Sequence, residues 1–136
     1  MRNHVLALVA LSVVTPAAAA DLVCHVTRRV SDGVPEDPRG YIEKYKPSVR
    51  VVEVGSKAKV ARCSFSPSEG KVTCDWYEVD RVEVAPRGPL GLVNIRKYYV
   101  FRQQFDVQVF YDGKERTVIE NNGRGGIAWG TCESAP

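Results

Sequence analysis

Apolar residues in this chain recur mainly at every second position, the period of a strand with one buried face. Leu22 to Val30 is the first such run, followed by the loop S-D-G-V-P-E-D-P-R-G. Ser48 to Val54 and Lys57 to Phe65 read as strands around a Gly55-Ser56 turn. Lys71 to Val84 is too long for one flat strand, and its apolar parity slips between Trp76 and Val79, which predicts a bulge or bend. P-R-G-P-L-G (86–91) breaks the chain. Val93 to Arg102 and Phe105 to Tyr111 follow as strands, Asp112-Gly113 predicts a hairpin turn into Glu115 to Glu120, and Ile127 to Cys132 closes the chain. Y-I-E-K-Y-K (41–46) fits two descriptions. It is either a short helix capped at Asp37-Pro38, or a strand with Tyr41, Glu43 and Tyr45 on one face.

The pattern amounts to about eight strands at short spacing, an all-β fold, mainly antiparallel, built as a β-sandwich or small barrel with room for one short helix. No repeat, low-complexity segment or linker interrupts residues 21–136, which read as a single β domain.

Residues 1–20 follow another pattern. Arg2 precedes an apolar run from Val5 to Val14, and Pro16 leads into Ala17-Ala18-Ala19-Ala20. A basic start, an apolar run of about 10 residues and a small-residue end mark a secretory signal peptide. Cleavage is expected after Ala20, giving a periplasmic or secreted chain that begins at Asp21. The run falls well short of the roughly 20 residues of a membrane span, so membrane insertion is not expected.

In an oxidising compartment the four cysteines, at 24, 63, 74 and 132, predict two disulfides. One pairing follows from the turn Pro67-Ser68-Glu69-Gly70. If those residues form the loop, Ser66 faces Lys71, Phe65 faces Val72, Ser64 faces Thr73 and Cys63 faces Cys74. Such cross-strand positions are close enough to adjust to a disulfide. By elimination Cys24 pairs with Cys132 and clasps the two ends of the mature chain. A zinc site needs close C-x-x-C pairs, which are absent; no metal or other cofactor is expected.

Charge narrows the partners. Of 19 Lys and Arg only Arg2 lies in the leader, which leaves 18 against 16 acidic residues, a formal +2. That balance predicts neither nucleic-acid nor membrane binding. His25 is the one histidine of the mature chain and sits beside a cysteine expected to be oxidised, so a Ser-His or Cys-His mechanism has little to rest on. Asp75, Glu78, Asp80 and Glu83 offer carboxylates for a small cell-envelope hydrolase, although carboxylates among Lys71 and Arg81 more often make a solvated strand face. The chain is expected not to be an enzyme.

Two stretches carry the candidate chemistry. K-Y-Y-V-F-R-Q-Q-F-D-V-Q-V-F-Y-D (97–112) holds six aromatics, more than one face of a strand pair must bury. Some of them suit glycan stacking or a protein partner, with Arg96, Lys97 and Arg102 alongside. In E-N-N-G-R-G-G-I-A-W-G-T-C (120–132) the glycines suggest a phosphate loop, but neither a following helix nor a P-loop lysine is present. A tight turn is the expectation, with Gly130 marking a bulge or close packing. If that turn binds a ligand, Asn121, Asn122 and Arg124 are the expected contacts, with Tyr98 and Tyr99 as neighbours.

In size, disulfides and β-content the chain resembles small periplasmic lysozyme inhibitors, in architecture only. The resemblance implies an inhibitor of a cell-wall hydrolase as an alternative. The leading expectation is a non-enzymatic binding or protein-interaction module whose partner is a protein or a cell-envelope glycan.

Overall fold

The computed structural model describes residues 20–35, 38–87, 89–91 and 93–136. The expected leader therefore lies outside the described residues, apart from Ala20. The strands are β1 (Ala20–Ser31), β2 (Val34–Pro35), β3 (Ser48–Val54), β4 (Lys57–Ser66), β5 (Lys71–Glu78), β6 (Arg81–Arg87), β7 (Val93–Val100), β8 (Phe105–Asp112), β9 (Glu115–Asn121) and β10 (Gly126–Ser134). The ambiguous segment after β2 is helical, as α1 (Pro38–Tyr45). Proline suits its first position, where a helical N–H has no partner in any case. Lys46 takes the left-handed conformation, φ 44°, and its N–H reaches Ile42 O at 2.8 Å, which ends the helix before Pro47.

Hydrogen-bonded neighbours run β5-β4-β3-β1-β10-β9-β8-β7-β6, with the short β2 beside β1. Every pairing is antiparallel. The two edge strands of this sheet are consecutive in sequence, with only Val79 and Asp80 between them. Three Cα steps span at most about 11 Å, so the two edges must meet there. Val79 N–H reaches Ala58 O of β4 at 3.1 Å, and Asp80 N–H reaches Tyr99 O of β7 at 2.8 Å. The result is one curled, barrel-like sheet rather than a sandwich. The bend expected near Trp76 to Val79 is this crossing, and β5 and β6 are the two halves of one bent run.

Both disulfides form, Cys24–Cys132 with S–S 2.04 Å and Cys63–Cys74 with S–S 2.05 Å. Within the β4–β5 hairpin Ser66, Phe65, Ser64 and Cys63 face Lys71, Val72, Thr73 and Cys74, as the turn predicts. Gly130 is buried opposite Val26, where the β1–β10 register shifts, and a Cβ there would collide with the His25 carbonyl. Close packing beside a bulge is its role.

Registered rows define the concave face. One row joins Tyr77, Val60, Val51 and Leu22, and another joins Val82, Tyr98, Val107, Glu120 and Ala128. A third joins Asp75, Arg62, Val49, Cys24 and Cys132. Val51, Val60, Val107 and Val109 are completely enclosed. Charged groups thus share the inner face with the apolar core, and they sit towards its two ends.

Candidate functional site

At one end of the barrel lies Glu53, near the β3–β4 turn, with Arg96 of β7 opposite it. The Arg96 guanidinium donates through Nε (3.1 Å) and Nη2 to the two Glu53 oxygens, and the Tyr98 hydroxyl donates to Oε2 at 2.9 Å. Burial raises Tyr98 far above the usual tyrosine pKa, because its phenolate would lose solvent; Tyr111 and the Glu53 carboxylate add repulsion. Tyr111, on the same inner face, is raised chiefly by burial too. This end is a saturated polar plug.

The other end is different. Arg62 and Glu120 meet across the concave face, Nη2 to Oε1 2.7 Å, and the guanidinium lies over the Phe105 ring at 3.8 Å. The contact is close but poorly aligned, since buried Arg62 Nε and Nη2 have no acceptor in hydrogen-bonding geometry among the described residues. We read it as an ion contact without a proper hydrogen bond. Above it is a cleft of about 240 Å³ whose polar lining includes Arg29, Arg62, Asp75, Glu120 and Asn122. Tyr41 of α1 forms part of its wall, with the Arg29 guanidinium 4.2 Å from its ring centre.

The glycine-rich turn forms the rim of this cleft. Asn121 Oδ1 accepts from Gly123 N at 2.9 Å, while Asn122 Oδ1 accepts from Arg124 N (2.8 Å) and Gly126 N (2.9 Å). The turn is braced on both sides. Asp32 N–H in the β1–β2 turn reaches Gly125 O at 2.9 Å. Gly123, at φ 69°, packs so tightly on the β7–β8 turn that a Cβ would collide with the Gln104 carbonyl. The chain then enters β10, not a helix, so the amides serve the turn itself rather than an anion. Arg124 is exposed at the apex, and its guanidinium has no partner among the described residues.

The structure therefore brings Asn121, Asn122 and Arg124 together on one turn, encloses Tyr98 away from them, and leaves Tyr99 on the outward row Tyr99–Asp106–Asn121, with one strand between it and Asn121. Tyr98 is fully enclosed, with its hydroxyl on Glu53, so it is not a surface contact. Its parity, in line with Val100, turns it inward. Tyr99 faces outward on β7, its hydroxyl donating to Glu83 at 3.2 Å and its ring near exposed Phe101. Of the cations placed beside that aromatic run, Arg96 points inward to Glu53 instead. His25 is a surface residue 3.1 Å from Glu133. The carboxylates of the Lys71–Val84 run do not converge: Asp75 enters the cleft, Glu78 pairs with Lys59, Asp80 accepts from Phe101 N, and Glu83 pairs with Arg81.

Sequence reasoning missed Arg62, Glu120, Arg29 and Tyr41 as cleft residues. Two carried a readable signal: Arg62 keeps the inward parity of Ala58 and Val60, and Glu120 that of Val118. Charges on an inward parity near a strand end mark a polar barrel mouth. Comparison with protein-family models, curated proteins and solved structures finds no match.

Proposed function

We propose that this protein is a non-enzymatic binding module of the periplasm or extracellular space, and that its ligand enters the barrel mouth beside Arg62. The contrast between the two ends carries the reading. Glu53, Arg96 and Tyr98 satisfy one another, whereas buried Arg62 donors lack aligned acceptors at the floor of an open cleft. Buried polar groups in that state are uncommon and call for a ligand or ordered water. The disulfides fit the oxidising location that the leader-like residues 1–20 suggest.

A different observation favours the inhibitor reading as second choice. Arg124 stands unpaired on a turn braced from both sides, so it would lose little freedom on meeting an acidic partner surface. A hydrolase has weaker support, because Glu120 is engaged by Arg62 rather than free beside Asp75.

The test is titration of ¹⁵N-labelled, oxidised protein with soluble cell-envelope extract. Saturable shifts at the Ser64, Asp75, Asn122 and Ile127 amides are expected. Shifts confined to the Arg124 apex would favour the inhibitor reading. Steady release of reducing ends from the extract would overturn the non-enzymatic reading.

A further inference from the structure

Resting on the mouth as the ligand site, we propose that the cleft binds a neutral saccharide unit. Charge decides first. Among the described lining residues two guanidiniums, Arg29 and Arg62, share the cleft with two carboxylates, Asp75 and Glu120, so a phosphate or free carboxylate would meet carboxylates beside the guanidiniums, and a cation would meet the reverse. A neutral polar ligand encounters no such opposition.

Hydrogen-bonding capacity decides next. Asn122 Oδ1 is committed to two backbone N–H groups, which fixes the amide and leaves its Nδ2 as a donor. Asp75 is exposed, lines the cleft and has no side-chain partner among the described residues, so it offers acceptors only. The Ser64 hydroxyl, also in the lining and unpartnered, does both. Adjacent sugar hydroxyls each donate and accept, and they match such a mixed set where a purely basic or purely acidic site would not. Tyr41 and Ile127 supply apolar wall for the C–H face of a ring. At about 240 Å³ the cleft lies below the roughly 300–1,000 Å³ of drug-sized sites, which suits one sugar ring with the rest of a chain outside.

The experiment uses the oxidised protein, ¹⁵N-labelled, with five probes: diacetylchitobiose, maltose, lactose, inorganic phosphate and glycylglycine. At least one saccharide should move the Ser64, Asp75, Asn122 and Ile127 amides saturably, and phosphate should not. Asp75→Asn, at an exposed position, should keep the wild-type spectrum elsewhere and weaken that saccharide about tenfold, as expected for losing one charge-assisted hydrogen bond. If phosphate or glycylglycine moves those amides and no saccharide does, the saccharide assignment is overturned while the mouth stands as a binding site. Silence from all five probes overturns the assignment, and silence from envelope extract as well removes the binding reading with it.

Discussion

Arg62 Nη2 lies 2.7 Å from Glu120 Oε1 although three strands separate β4 from β9 in the sheet. Glu53 and Arg96 likewise meet from strands that are not neighbours. Only a sheet curled on itself brings such pairs together, so both contacts read out closure as well as chemistry. They differ in completeness. The Glu53 carboxylate collects three aligned donors, while Arg62 relies on one misaligned carboxylate and an aromatic face.

That difference should appear as stability. Glu53→Ala strands the Arg96 charge and the Tyr98 hydroxyl inside the barrel and should cost about 3 kcal/mol, the low end for a broken buried pair because Arg96 keeps some solvent. Glu120→Ala should cost only about 1–2 kcal/mol, since Arg62 retains Phe105. Urea midpoints at constant m-value compare them. Equal losses would mean that the Arg62 contact is as complete as the Arg96 one.

The same plug predicts alkaline sensitivity. Tyr98 and Tyr111 both titrate above the ordinary tyrosine range, chiefly because they are buried. Raised folded-state values mean that stability is fully present below about pH 10, where tyrosine ionises in the unfolded chain, and falls as pH climbs from there towards the folded values. Tyr98→Phe should be less stable than the parent at pH 7, through loss of the Glu53 hydrogen bond, and its stability should decline less steeply between pH 10 and 11. Parallel declines in parent and variant would show that Tyr98 is not the linked group.

Much of this fold is legible in alternation. The hairpin Cys63–Cys74 register follows from four turn residues, and the bend after Trp76 from a parity slip. Closure is not, because nothing local says that Val79 and Asp80 bond to β4 and β7, which lie at opposite ends of one sheet. The helix stays open for a similar reason, since Tyr41, Glu43 and Tyr45 satisfy both periods until tertiary contacts choose. In the site, local chemistry is readable, and the Asn121 to Gly126 turn is where its glycines place it. What assembles the cleft is the long-range meeting of the β4–β5 hairpin with β9 and β10 and the packing of α1 on β1 and β4, which no window of sequence contains.

The two disulfides should contribute unequally. Cys24–Cys132 spans 108 residues and Cys63–Cys74 only 11, so chain entropy assigns them about 4–5 and about 3 kcal/mol. Cys24 is also fully enclosed. The double alanine variant at 24 and 132 should unfold at markedly lower urea than the one at 63 and 74. Non-reducing peptide mapping checks the linkages themselves. A variant at 63 and 74 that proves the less stable would mean that the hairpin disulfide contributes through native packing rather than loop closure.

The rim turn provides the sharpest separation of structure from function. Gly123 combines a left-handed backbone with contact on the Gln104 carbonyl, so Gly123→Ala should cost about 2–3 kcal/mol. Arg124, next along, is exposed and unpaired, so Arg124→Ala should change stability by less than about 0.5 kcal/mol. Thermal unfolding of the two variants measures that contrast directly. If Arg124→Ala also weakens capture of a partner from envelope extract, the apex is a recognition element on a rigid frame. A large stability loss from Arg124→Ala would instead place its guanidinium in the fold, and the turn would carry Asn122 alone to the cleft.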